Sequence, residues 1–165
     1  MTSKKITRTA VFITVSVLLG YIESLFPPIV PVPGIKIGLA NAVVLLLIYT
    51  DSPKTALSVS VLKVILCSLL FGSMMSFVYS ISGAIMSFLL MVAAKKVKIF
   101  SIIGVSSIGG IIHNMAQLIC AYLFLGKGVL FYIPPLCLSG AVCGVFTGIA
   151  AQIILKRGRN LFGKE

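Results

Sequence analysis

The stretch that decides the fold is SIIGVSSIGGIIHNMAQLICAYLFL, which runs from Ser101 to Leu125. It carries no charged side chain, and it is long enough to cross a bilayer as one helix. Its centre nevertheless contains His113, Asn114 and Gln117. Polar side chains at membrane depth are costly unless they face protein or a hydrated cavity. We therefore interpret this helix as one wall of a polar pocket inside a membrane bundle.

The composition of the rest of the chain indicates an integral membrane protein. Of the 165 residues, 59% are hydrophobic and only 10% are charged, and the mean hydropathy is +1.16. A soluble domain has about 25% charged residues. The net charge of +11 would favour nucleic-acid binding in a soluble protein, but here the basic residues stand between apolar stretches. In that position they indicate membrane topology, so no nucleic-acid partner is expected.

Six apolar stretches predict an all-α, polytopic bundle of six transmembrane helices that occupies residues 1–165 as a single membrane domain. The predicted helices cover residues 9–26, 37–50, 53–71, 74–94, 101–125 and 134–155. The second helix is short for a membrane span, at about 21 Å. It follows the segment PPIVPVPG at 27–34, whose prolines exclude a helix. We expect this second helix to begin within the membrane. The loop that precedes it should lie against protein or a cavity.

The distribution of basic residues predicts the orientation. With the N-terminus in the cytoplasm, eleven Lys and Arg residues lie in cytoplasmic segments, and only Lys36 and Lys127 lie in outer loops. Lys63 lies within a span. This asymmetry fits the positive-inside rule. The sequence therefore predicts a multi-pass protein of the cell membrane with both termini cytoplasmic.

The acidic residues argue against enzymatic chemistry. The chain has three of them, Glu23, Asp51 and Glu165, and Glu23 and Asp51 are expected on opposite sides of the membrane. Metal-dependent diphosphate chemistry needs clustered carboxylates. The segment GRNLFGKE at 158–165 resembles a phosphate-binding loop but follows a membrane helix instead of a strand, so it is rejected. We expect no catalytic residues, no metal site and no cofactor, and the four cysteines are interpreted as apolar packing residues.

Polar residues from several helices are expected to meet in the outer half of the bundle. The candidate substrate-binding residues are Glu23, Lys36, Asn41, Lys63, His113, Asn114, Gln117 and Tyr132. A buried lysine needs a partner or a ligand anion, because an unpaired charge in the membrane is costly. One alternative is structural, with a Lys63–Glu23 ion pair and interhelical hydrogen bonds from the fifth helix. The size of the set favours a pocket open to the outside, between helices 1, 2, 3, 5 and 6.

Small residues predict where helices approach closely. Gly140, Gly144 and Gly148 recur every four residues in the sixth helix. Such a stripe lets a neighbouring backbone come near. Ser80, Ala84 and Ser87 are expected to act similarly in the fourth helix.

The words PVPGIKIGLAN at 31–41 and GGIIHNMAQ at 109–117 resemble the Gx transporter family, which is also labelled heptaprenyl diphosphate synthase component I. The resemblance extends over essentially the whole chain. That family is similar to the substrate-binding S components of energy-coupling factor transporters. The resemblance implies six helices, both termini inside and a vitamin-sized ligand held near the outer face. It also implies a separate coupling subunit with ATPases.

Two hypotheses follow. In the first, the chain is a membrane transport protein, an S-component-like subunit that captures a small anionic or isoprenoid- or quinone-related ligand from the outer side. In the second, it is a non-catalytic membrane subunit associated with heptaprenyl diphosphate or menaquinone synthesis, or with flavin-linked redox machinery. The partners expected are the ligand, the lipid bilayer, and either a coupling subunit with ATPases or the catalytic subunit of a prenyl synthase.

Overall fold

The computed structural model describes residues 3–25 and 40–162 of the chain. The elements are α1 (Ser3–Ser24), α2 (Asn41–Thr50), α3 (Pro53–Phe71), α4 (Met74–Val97), α5 (Ile102–Leu125), the 3₁₀ helix η1 (Lys127–Tyr132) and α6 (Ile133–Phe162). No strand occurs within those two ranges. Five helices are long and apolar enough to cross a membrane, and α2 is a shorter apolar helix. The prediction of an all-α bundle of six helices is confirmed.

Serine side chains fix the starts of three helices. The Ser52 hydroxyl accepts a hydrogen bond from the Thr55 N–H at 3.2 Å, with Pro53 at the first helical position. Ser73 and Ser101 cap α4 and α5 in the same way. An N-cap hydroxyl satisfies a backbone N–H that has no partner inside the helix. This chemistry explains why α3 begins at the predicted residue.

The start of the first helix and the end of the last helix differ more from the prediction. Helix α1 begins at residue 3 instead of 9, and α6 extends to residue 162 instead of 155. Lysine and arginine have good helix propensity, so a helix continues past the apolar region where the prediction ended it. Helix α4 likewise continues to Val97 and ends at Lys98, which has a φ of 61°.

Helix α2 lies inside the bundle and spans only about half of a bilayer. Its ten residues correspond to about 15 Å, against about 30 Å for the hydrocarbon core. Six consecutive side chains from Val43 to Ile48 are buried, as expected for a helix that is apolar all round. The helix begins at Asn41, after a turn at Ala40, whereas it was predicted from residue 37. Residues 37–39 lie outside the described residues.

Helix α5 packs between α4 and α6 through small residues. A Cβ at Gly140 of α6 would lie 2.6 Å from the Gly110 carbonyl oxygen, and one at Gly144 would lie 2.5 Å from the Ser107 Cα. On the other side, the Ser87 hydroxyl of α4 donates to the Gly109 carbonyl at 2.9 Å. The predicted close approach along the glycine stripe is therefore confirmed, and the neighbour is α5.

The helices alternate in direction, which gathers basic residues at one end. The Tyr21 and Phe71 rings meet near the C-terminal ends of α1 and α3, with centroids 5.6 Å apart. At the other end, Lys95 of α4 donates to the Ile48 carbonyl near the end of α2. We call this end the basic end; Lys5, Arg8, Lys54, Lys95, Lys96, Lys98, Lys156 and Arg157 lie near it. The half of the bundle away from it contains the candidate site.

Candidate functional site

A small cavity lies among the first five helices, between the middle of the bundle and the end opposite the basic end. Its volume is about 30 Å³. A water molecule needs about 10–15 Å³ of such space, so the cavity has room for a few waters or for the polar head of a larger molecule. Its lining residues are Gly20, Glu23, Ala40, Asn41, Lys63, Val64, Cys67, Ser68, Ser80 and His113.

Lys63 of α3 provides the positive charge of this cavity. It is buried, and its Nζ donates a hydrogen bond to the Asn41 Oδ1 at 3.0 Å. Asn41 is the first residue of α2, so the lysine in the middle of α3 meets the start of the half-length helix. Glu23, near the end of α1, is also buried and lines the same cavity. Two buried groups of opposite formal charge thus share one small space.

His113 of α5 forms another wall. It is buried and lines the cavity, and no hydrogen-bond partner of its Nδ1 is found among the described residues. The ring lies against Gly83 of α4, where a Cβ would come within 3.0 Å of Nδ1. Because Gly83 has no side chain, the imidazole fits between α4 and α5.

Gln117 and Asn114 lie beside His113 on α5 but do not line the cavity. Gln117 is fully buried, its Cγ would lie 3.0 Å from a Cβ at Gly83, and neither amide atom has a partner among the described residues. Asn114 faces α6 instead. Its Nδ2 donates to the Leu136 carbonyl at 3.0 Å and to the Ser139 hydroxyl at 3.2 Å, while its Oδ1 is unpartnered there. The expectation that His113 and Gln117 share one helix face agrees with this geometry.

The two remaining candidates are placed differently. Tyr132 lies in η1 and packs against an apolar cluster that contains Tyr79, Leu118 and Leu136, away from the cavity. Lys36 lies outside the described residues. The cavity thus unites Glu23, Asn41, Lys63 and His113 and leaves Asn114, Gln117 and Tyr132 outside its lining.

The walls also differ from the sequence-based expectation. No described residue of α6 lines the cavity, whereas α4 contributes Ser80. Cys67 and Ser68 of α3 lie one turn beyond Lys63 and line it as well. The sequence predicts a packing role for Cys67 and Ser80, because nothing in a sequence distinguishes a serine or cysteine that packs from one that lines a cavity.

Interhelical hydrogen bonds account for part of the polar set. Besides the bonds of Asn114, Ser106 of α5 and Thr147 of α6 share a hydrogen bond of 2.9 Å. These contacts join α5 to α6 and are the structural role that polar side chains commonly have in membrane bundles. That role fits Asn114 and also the Lys63–Asn41 bond between α3 and α2, while Glu23, Asn41, Lys63 and His113 in addition line the cavity.

The donor atoms of the cavity do not resemble a metal centre. No group of three or more His, Cys, Asp or Glu side chains that is suited to a metal ion occurs among the described residues. The described lining residues instead offer one ammonium group, one carboxylate, an amide, hydroxyl groups and an imidazole. Such a set binds a polar molecule through hydrogen bonds and charge.

Comparison with known proteins identifies a family for this chain. No curated protein and no solved structure matches it significantly. A family model does match, over residues 12–154, and its description is heptaprenyl diphosphate synthase component I. The match covers most of the chain. It agrees with the family that the segments at 31–41 and 109–117 resemble. The chain therefore belongs to the heptaprenyl diphosphate synthase component I family.

Proposed function

We propose that this protein is a substrate-binding membrane protein, similar to the S components of energy-coupling factor transporters, which captures a small ligand in the cavity around Lys63. The observation that carries this proposal is a cavity lined by polar side chains from four helices: the buried Glu23, Lys63 and His113, and the partly buried Asn41. Burial of charge is costly in a membrane unless the charge is paired or meets a ligand.

The size of the cavity limits what it holds. Pockets for whole small molecules have volumes of about 300–1,000 Å³, so a space of about 30 Å³ accommodates only the polar part of a ligand. The apolar part of an isoprenoid- or quinone-related molecule would lie between the helices or in the lipid. Such a ligand suits a polar recess inside an otherwise apolar bundle.

The location of the cavity supports capture from outside the cell. It lies in the half of the bundle away from the basic end, and the positive-inside rule assigns the basic end to the cytoplasm. We propose on this basis that both termini are cytoplasmic. A coupling subunit with ATPases would then bind at the basic end.

The proposal is tested by identifying what the protein binds. The protein is purified in a mild detergent, and small molecules released from it are measured by mass spectrometry. Lys63→Ala and His113→Ala are expected to lose a molecule that the unmodified protein carries. Thr147→Ala, which removes a buried hydrogen bond outside the cavity, is expected to keep it and serves as the control. Equal recovery from all four proteins would refute the proposed site.

A second candidate function is supported by the family description. A component of heptaprenyl diphosphate synthase would act beside a catalytic prenyl synthase subunit, as a non-catalytic membrane subunit. With only three acidic residues in the chain, it lacks the aspartate-rich motifs of prenyl synthases. Affinity purification from the native membrane distinguishes the two functions. Stoichiometric recovery of a prenyl synthase supports this second function, and recovery of a coupling subunit with ATPases supports the first.

A further inference from the structure

The start of α2 lies at the cavity, and among the described residues its N-cap position provides no capping side chain. Ala40 occupies the N-cap position, is buried and provides no side-chain hydrogen bond, whereas serines cap α3, α4 and α5. Both Ala40 and Asn41 line the cavity. The first N–H groups of a helix have no partner inside it, and the helix dipole adds partial positive charge there. Within a membrane, half-length helices direct such ends at anionic groups.

Lys63 lies at the same point. Its ammonium group reaches the Asn41 side chain at 3.0 Å, so the lysine and the α2 N-terminus concentrate positive charge in one place. Anions are stabilised by this combination of a cation and backbone N–H groups. The Lys95 contact with the Ile48 carbonyl holds the opposite, C-terminal end of α2.

Unused hydrogen-bonding atoms next to this positive end are an independent sign of a ligand. His113 lines the cavity and is 5% exposed, and its Nδ1 lies against the Gly83 backbone without a well-aligned hydrogen bond among the described residues. One turn along α5, Gln117 is 0% exposed, and both of its amide atoms lack a partner there. Buried polar groups in native proteins are almost always paired, so the imidazole of His113, which lines the cavity, supports a ligand there; Gln117 does not line the cavity and adds no such support.

Glu23 opposes the positive charge from the remaining wall. It lies on α1, and it is the only acidic residue among the described residues that line the cavity. A ligand anion would compete with this carboxylate for the lysine and the helix terminus. Removing the Glu23 charge should therefore strengthen anion binding, whereas removing the Lys63 charge should weaken it.

From these observations we infer that the cavity binds an anionic group, a carboxylate or a phosphate, through Lys63 and the N-terminus of α2, with His113 providing a further hydrogen bond. This inference rests on the proposed function and names its ligand class. The anion belongs either to a free small molecule or to the headgroup of a lipid, and both present the same chemistry to the cavity.

Cys67 provides a probe inside the cavity. In a variant with Cys120, Cys137 and Cys143 replaced by alanine, Cys67 is the only thiol. Its labelling rate is measured with an anionic reagent, 2-sulfonatoethyl methanethiosulfonate, and a cationic one, the 2-trimethylammonioethyl analogue. The protein is held in nanodiscs of phosphatidylcholine, which carries no net charge. A cysteine-free chain with Phe131→Cys, at an exposed position near the same end, gives the ratio of the two rates outside the cavity.

The inference predicts that the anionic reagent labels Cys67 faster, with a ratio of rates about tenfold above that at position 131, equivalent to about 1.4 kcal/mol. Lys63→Gln should lower the ratio and Glu23→Gln should raise it, so a general loss of folding does not imitate the pattern. Faster labelling by the cationic reagent, or a ratio that neither substitution changes, would overturn the inference. Failure of both reagents to reach Cys67 would refute the accessible cavity of the proposed function, and the inference with it.

The same probe distinguishes the two sources of the anion. Slower labelling in the presence of inorganic phosphate indicates that a free anion occupies the cavity. Slower labelling in nanodiscs that contain phosphatidylglycerol indicates a lipid headgroup. Protection by either one supports the inference, and protection by choline in place of both contradicts it.

Discussion

Packing alone does not explain why Gln117 is buried. Its side chain is fully buried, and neither amide atom has a hydrogen-bond partner among the described residues. Leaving a buried polar group unpaired costs about 1–3 kcal/mol. Asn114 differs from Gln117 because its Nδ2 donates two hydrogen bonds to α6.

We predict that Gln117→Met leaves the stability unchanged or raises it, because an apolar side chain of similar size has no unpaired amide. Asn114→Leu should lower the free energy of unfolding by about 1–3 kcal/mol, because the two bonds to α6 are lost. Thermal unfolding in detergent, monitored by circular dichroism, measures both. Equal destabilisation by the two substitutions would show that Gln117 is satisfied in the folded protein.

Lys63 is expected to contribute to stability as well as to binding. Lys63→Met removes a hydrogen bond from a charged group to Asn41, and such bonds contribute about 1.5–3 kcal/mol. Lys54→Met, at an exposed position on the same helix, is the matched control and should have little effect. Melting temperatures of the two variants provide the comparison. If Lys63→Met unfolds at the same temperature as Lys54→Met, the Lys63 contact does not stabilise the fold.

Among the elements, α5 depends most on close backbone contact. Gly140→Ala on α6 would place a Cβ 2.6 Å from the Gly110 carbonyl oxygen, so the two helices must separate. Overpacking of this kind costs about 1–3 kcal/mol. Gly104→Ala on α5 is the control, because its nearest atoms would lie at an ordinary 3.6 Å. We expect a lower melting temperature for Gly140→Ala and an unchanged or higher one for Gly104→Ala; the reverse order would contradict the packing of α5 on α6.

Helix α2 is held at its end by Lys95, whose ammonium group donates to the Ile48 carbonyl and lies 4.7 Å from the Tyr49 ring centroid. Lys95→Met should loosen α2 while the other helices keep their structure. Hydrogen–deuterium exchange is expected to rise in residues 41–50 for this variant but not for Lys96→Met, which changes an exposed lysine. Uniform exchange in both variants would show that α2 does not need this anchor.

The elements also show what the sequence predicts and what it leaves open. The bounds of α3 follow from Ser52 and Pro53, whose capping chemistry is local and can be read from a few residues. The start of α1 and the end of α6 were predicted less well, because helix propensity continues beyond the apolar stretch. The cavity is a different case: burial and charge indicated Lys63 and His113, but Ser80 and Cys67 acquire their place only from how α3 and α4 pack.

At the scale of the whole molecule, the basic end gives the bundle a direction. Helix ends rich in Lys and Arg remain on the cytoplasmic side of a membrane. We predict that a fluorescent protein fused after residue 165 is fluorescent in intact cells. Alkaline phosphatase inserted in the turn at Gly126–Gly128 should be active, because it would fold outside the cytoplasm. An active phosphatase fused after residue 165 would reverse the orientation and place the cavity on the cytoplasmic side.

This direction connects the fold to the proposed capture of a ligand. The cavity lies in the half away from the basic end, close to the start of α2, and α5 holds His113 against Gly83 beside it. Four helices must keep their packing for Glu23, Asn41, Lys63 and His113 to remain together. The shape of the proposed binding site therefore depends on the stability of the bundle.

An experimental density map of the protein in a lipid nanodisc, purified without removing bound molecules, tests the central claim most directly. We expect Lys63 and His113 to face one cavity, with non-protein density between the Lys63 ammonium group, the start of α2 and the His113 ring. A map in which Lys63 and His113 point apart or toward lipid would contradict it.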